Sequence, residues 1–165
     1  MKPGRNLIVS IFGRKGSGKT FLSKRILADF DRVVAIDTVA QYHAEDGFEV
    51  YTGKHAGAAA LERAYTLHAR GRLETFRIAL RADDTEELME LLGVAYEMPG
   101  ILLVVDEASF YCSPSKLPPN VSRLVRLGRH RNISQVYIAQ RPAEVHRAIT
   151  AQSDIVVSFV QREER

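Results

Sequence analysis

The sequence predicts a three-layer α/β domain with a mostly parallel sheet. Apolar runs alternate with stretches of helical periodicity along the whole chain. The runs at 101–105 and 133–139 are apolar apart from Ser134 and Gln135, the pattern of strands covered on both faces by helices. Two runs also end in groups of special chemistry: a glycine-rich loop from Gly13, and the adjacent carboxylates Asp106 and Glu107. The C-terminal ends of parallel strands are where such sheets bind ligands.

The elements follow in order. Residues 7–12 read as a first strand, and 19–30 as a helix with Leu22, Ile26, Leu27 and Phe30 on one face. Residues 32–37 form a second buried strand. Short strands at 48–52 and 75–80 flank a helix that gathers Leu61, Ala64, Tyr65 and His68 on one side. Residues 84–97 open with acidic side chains, as a helix N-terminus prefers, and then space Leu88, Leu91, Leu92 and Ala95 helically. Strands at 101–105, 133–139 and 154–160 complete the set. The least structured stretch is 113–120, with three prolines. The length of 165 residues and 45% hydrophobic content suit one domain, 1–165, and neither a repeat nor a low-complexity segment interrupts it.

Composition removes several classes of function. A single cysteine, Cys112, excludes an internal disulfide and fits a reducing compartment. The five histidines have neither cysteine pairs nor His-x-x-x-His spacing, which argues against zinc. The apolar stretch at 7–12 is too short for a signal peptide core, and no run reaches the ~20 apolar residues a membrane helix needs. The expected location is the cytoplasm, or a host cytoplasm for a viral protein. A formal charge of +3, with both signs interspersed, is compatible with an acidic partner without specifying one.

Gly13, Arg14, Lys15, Gly16, Ser17, Gly18, Lys19 and Thr20 match G-x-x-x-x-G-K-[ST] between the first strand and the first helix. Glycines let backbone N–H groups turn in around phosphate oxygens, and the helix adds its positive N-terminal end. Lys19 is expected to reach the β- and γ-phosphates of ATP, and the Thr20 hydroxyl to ligate Mg²⁺. In "ILLVVDEAS", Asp106 is expected to hold the Mg²⁺ shell and Glu107 to polarise the attacking water. The N-K-x-D signature of guanine specificity is absent from the sequence, and a small-molecule kinase has no need of Glu107, so ATP hydrolysis is the expected chemistry. A strand inserted between the phosphate-loop strand and the carboxylate strand would bring Gln140 to the γ-phosphate, as a sensor bonded to phosphate and water. This predicts the additional-strand, catalytic-glutamate (RecA-like) type of P-loop NTPase fold.

The charge cluster Arg123, Arg126, Arg129, His130 and Arg131 precedes the same strand. It therefore lies at the edge of the sheet away from its own nucleotide, and is placed to reach a neighbour's. The order GRKGSGKT, VVDEAS and "RLVRLGRHRNISQVYIAQRPAEV" resembles the HerA–FtsK superfamily of ring-forming DNA-pumping ATPases. The "RHR", apolar strand and "QRP" are also similar to viral genome-packaging ATPases and to zonular-occludens-toxin-like proteins of filamentous phages. The resemblance implies a homo-oligomeric ring, a hexamer or pentamer, translocating double-stranded DNA, with portal, capsid or nuclease proteins as further partners. It also implies an arginine finger acting across the subunit interface, for which Arg129 is the first candidate and Arg126 and Arg123 the next. A phage assembly or secretion ATPase, and a slow nucleotide-gated binding module, are the alternatives. The resemblance is vague between residues 39 and 99, and the chain carries no recognisable winged helix or nuclease domain.

Overall fold

A computed structural model describes residues 6–81 and 84–159. Seven strands make one sheet: β1 (Ile8–Phe12), β2 (Arg32–Ile36), β3 (Glu49–Thr52), β4 (Phe76–Arg81), β5 (Leu102–Val105), β6 (Ser134–Ala139) and β7 (Ile155–Ser158). Their order is β3-β4-β2-β5-β6-β1-β7, and every pairing is parallel. The mostly parallel sheet of the sequence prediction is thus parallel throughout. β6 lies between β1 and β5, with Phe12 opposite Ala139 and Val105 opposite Tyr137. That insertion defines the additional-strand architecture, and it aligns the ends of all three strands at one rim.

The helices are α1 (Lys19–Leu27), α2 (Lys54–Ala69), α3 (Thr85–Tyr96), α4 (Pro119–Leu127) and α5 (Arg147–Gln152). Period-two alternation in the strands divides the core into two layers. Ile8, Phe12, Val34, Ile36, Leu103 and Tyr137 face α2 to α5. Val9, Ile11, Val33, Ala35, Val104 and Val136 face α1 and the segment carrying Tyr42 and Phe48. The sandwich is therefore lopsided, with α1 on one face and four helices on the other. Each face buries whole strands, which accounts for the apolar runs.

Local chemistry sets the helix limits. Asp84 caps α3 by accepting a hydrogen bond from the Glu86 N–H at 2.8 Å, and Leu88, Leu91, Leu92 and Ala95 are all buried. Pro119 occupies the first turn of α4, where its missing N–H costs nothing. So the proline-rich stretch ends by starting a helix, and Arg126 and Arg129 fall on different elements, because a 3-10 turn (Gly128–Arg131) follows α4.

Two expectations change. Tyr65 does not join the buried face of α2 but is 42% exposed. β7 is apolar yet largely exposed, with Ile155 at 43% and Val156 at 52%, because among the described residues it is an edge strand paired only to β1. Residue 160, expected at the end of this strand, lies outside the described residues.

Candidate functional site

The turn from β1 into α1 wraps around its own lysine. Gly16 and Gly18 take positive φ angles of 78° and 99°, which a side chain would resist, and the chain doubles back with Ser17 N–H donating to Arg14 O at 3.1 Å. Lys19 Nζ donates to the carbonyls of Gly13 at 2.6 Å and Arg14 at 3.0 Å. The ammonium thus sits inside the loop, held by two carbonyl dipoles. Gly13 is itself anchored to the sheet, its N–H donating to Ala139 O across to β6.

Opposite the loop, β5 delivers Asp106 and Glu107. Asp106 is 5% exposed, and its Oδ1 accepts the Glu107 N–H at 3.0 Å. Burial pushes the Asp106 carboxyl up to about 6; the nearby Asp37 and Glu107 charges add to the rise, while the Glu107 N–H and Lys19 oppose it. Asp106 Oδ2 and Ser17 Oγ are buried without a hydrogen-bond partner among the described residues. Of these two residues only Asp106 lines the cleft; Ser17 Oγ is packed against Gly13. An orphaned carboxylate oxygen is a cost unless something polar meets it, and a hydrated divalent cation accompanying a phosphate fits that acceptor.

Glu107 adopts the left-handed conformation, φ 46° and ψ 52°, unusual for a side chain of this kind. The turn swings its carboxylate off the strand axis and toward β6. There Glu107 Oε1 accepts from Gln140 Nε2 at 3.2 Å and from Ser109 Oγ at 3.5 Å. Gln140, just after the inserted strand β6, and Glu107, just after β5, therefore meet. Lys15, Gly16, Gly18, Lys19, Thr20, Asp106, Glu107 and Gln140 line one cleft of about 690 Å³ with Val39, Gln41 and Phe110. That volume is ample for a nucleotide triphosphate.

Sequence reasoning passed over the segment after β2. Asp37 is 1% exposed and collects Gln41 N–H at 2.6 Å, Tyr42 N–H at 3.3 Å and Arg81 Nε at 3.0 Å. Gln41, at the cleft wall, accepts the Thr20 hydroxyl at 3.3 Å. The signal was available: "VVAID" and "LLVVD" are both apolar runs closed by an aspartate at a strand's C-terminal end.

Arg129 lies elsewhere. It precedes β6, whereas Gln140 follows that strand, which separates them by about 20 Å of extended chain. Its guanidinium donates to Gln152 O and Asp154 Oδ2, both at 2.8 Å. Arg123 stacks 3.9 Å from the Tyr96 ring centre, and Arg131 donates to Glu97 Oε2 at 2.9 Å. Arg126 is exposed. The cluster thus occupies the rim of the sheet opposite the cleft.

The profile of an AAA domain family (AAA_22) matches residues 4–146, a span that takes in the loop, both carboxylates and Gln140. The chain belongs to that family. As an AAA-type P-loop NTPase domain it shares its fold with the genome packaging NTPase B204 of Sulfolobus turreted icosahedral virus 2. The sulfate complex of B204 superposes with a TM-score of 0.70 at 22% identity, covering 99% of this chain and 77% of that one. The complex of B204 with ATP-gammaS gives 0.69 at 17% identity, with 97% and 78% covered. The N-terminal domain of zonular occludens toxin from Neisseria meningitidis gives 0.59 at 19% identity, with 96% and 79% covered. No curated protein sequence matches the chain. Among the described residues no helix is long and apolar enough to cross a membrane.

Proposed function

We propose that this NTPase domain hydrolyses ATP and, as a homo-oligomeric ring, translocates or packages double-stranded DNA. The observation that carries the chemistry is the Glu107–Gln140 contact, facing Lys19, Thr20 and the orphaned Asp106 oxygen across one cleft. Lys19 exchanges its loop carbonyls for the β- and γ-phosphate oxygens. Glu107 draws a proton from the attacking water, and Gln140, already bonded to that carboxylate, orients the water and the γ-phosphate together. Thr20 and Asp106 would hold Mg²⁺, which when bound neutralises phosphate charge. A guanidinium from the neighbouring subunit completes the site. Arg129 is the first candidate, provided it exchanges Asp154 for phosphate; Arg126 and Arg123 come next.

The DNA reading rests on the motif order and on the basic cluster. The fold shared with the zonular occludens toxin domain keeps an assembly or secretion ATPase as the second reading. Duplex binding at graded salt separates them. A translocase gripping the phosphate backbone should lose affinity steeply between about 50 and 200 mM salt and hardly vary with base sequence. Binding that is absent, or flat with salt, would favour a protein-moving ATPase.

A further inference from the structure

We infer that Gln41 is a positioning residue for the metal-ligating hydroxyl of Thr20, set in place by a tether from Asp37 to Arg81. The inference rests on the nucleotide-site reading above, and adds a residue that no phosphate-loop motif contains.

A threonine hydroxyl has one proton and two lone pairs. To ligate a cation it must turn a lone pair into the cleft, so its proton needs an acceptor on the other side. Asp106 does not serve: Oδ1 takes the Glu107 N–H, and Oδ2 is buried without a partner among the described residues. The acceptor is Gln41 Oε1, at 3.3 Å from Thr20 Oγ1. The amide is prevented from turning its NH₂ toward the hydroxyl, because Gln41 Nε2 donates to Val39 O at 3.2 Å. The Thr20 contact is longer than the usual range of about 2.5–3.0 Å. A hydroxyl becomes a better donor once its oxygen is bound to a cation, so the contact has room to shorten on binding. Asp106 Oδ2 is left for the cation's water shell.

The surrounding segment is built to hold that amide. Ala40, just before Gln41, takes a left-handed φ of 54°, which an alanine adopts only where the surroundings impose it. Asp37 imposes it by binding the N–H groups of both Gln41 and Tyr42. Arg81 clamps the same turn from β4, with Nε on Asp37 Oδ2 at 3.0 Å and a terminal nitrogen on Tyr42 O at 2.8 Å. On the far side, the fully buried Tyr42 hydroxyl meets Ser23 Oγ at 3.1 Å, one turn along α1 from Thr20. The turn is thus fastened to β2, β4 and α1, while the Gln41 side chain projects into the cleft.

The test is a thermodynamic cycle on metal dependence. Affinity for a fluorescent ATP analogue is measured in EDTA and across a Mg²⁺ titration for the full chain, Gln41→Ala, Thr20→Ala and the double variant. Melting temperature is recorded for each. Removal of such an outer partner costs about 10–100-fold in metal affinity. Gln41→Ala should weaken Mg²⁺ by that factor, leaving affinity in EDTA within about twofold and the melting point unchanged. In the Thr20→Ala background the same substitution should do nothing more. Equal losses from Gln41→Ala in both backgrounds would overturn the inference, since Gln41 would then act without Thr20. So would a loss confined to EDTA affinity or to melting temperature, which marks a structural role. A wild-type chain that fails to bind the analogue at all would instead remove the nucleotide-site reading on which the inference stands.

Discussion

Burial of Asp106 gives the metal-free protein a pH signature. Its folded pKa of about 6 exceeds the ordinary carboxylate value, so the folded protein holds this proton more tightly than the unfolded chain does. Stability from this group is complete below about pH 4 and is lost as pH rises through 6. Asp106→Asn should therefore melt above the wild type in EDTA at pH 7.5, by an amount on the order of 1–3 kcal/mol. The difference should close as pH falls to 4, and equal melting at pH 7.5 would show that Asp106 carries no desolvated charge. At this scale the sequence was most legible where chemistry is local. Lys19 and Thr20 belong to one contiguous loop, and Glu107 follows Asp106 directly. The Asp37–Arg81 pair, 44 positions apart, was not legible, because only the adjacency of β2 and β4 brings it together. Nor was the anchoring of Arg129 to Asp154 legible, since it depends on β7 folding back beside β1.

Among the elements, β6 is fixed by a buried amide that has no part in the cleft. Gln135 is fully buried; its Nε2 donates to Leu124 O at the end of α4, and its Oε1 accepts the Tyr137 hydroxyl at 2.7 Å. Gly128 leaves room for that amide, since a Cβ there would come within 2.6 Å of Gln135 Nε2. Gly128→Ala should displace the amide, part its buried NH₂ from the Leu124 carbonyl and cost about 1–3 kcal/mol in denaturant unfolding. An unchanged unfolding midpoint would show that the α4–β6 junction yields without cost. Strand identity was legible from apolar runs, and α3 from its acidic start and leucine spacing. The lower burial of β7 was not, because an apolar run states what a strand can bury and leaves open whether a neighbour comes to cover it. The break between α4 and the following turn was hidden for a similar reason: Gly128 is tolerated in a helix, and its reason for being there is a contact with β6.

For the whole molecule, the sheet separates the cleft rim from the basic rim, so an arginine from the second can serve only the cleft of another copy. If Arg129 does so, Arg129→Ala and Glu107→Ala should each be nearly inactive, a finger being worth on the order of 10³–10⁵ in rate. Mixed after dissociation, about a quarter of head-to-tail interfaces would join an intact Glu107 to an intact Arg129, and hydrolysis should return above the sum of the two. No recovery, or an active Arg129→Ala protein, would pass the role to Arg126. Beneath the assembly lies the chemistry, and the most direct measurement of it is ATP turnover by the wild type and by Glu107→Gln, each titrated with linear duplex DNA at fixed low salt. Wild-type turnover should climb with DNA and saturate, while Glu107→Gln should bind ATP as tightly and stay near zero at every DNA concentration. Turnover by Glu107→Gln at the wild-type rate, or a wild type indifferent to DNA, would contradict the account.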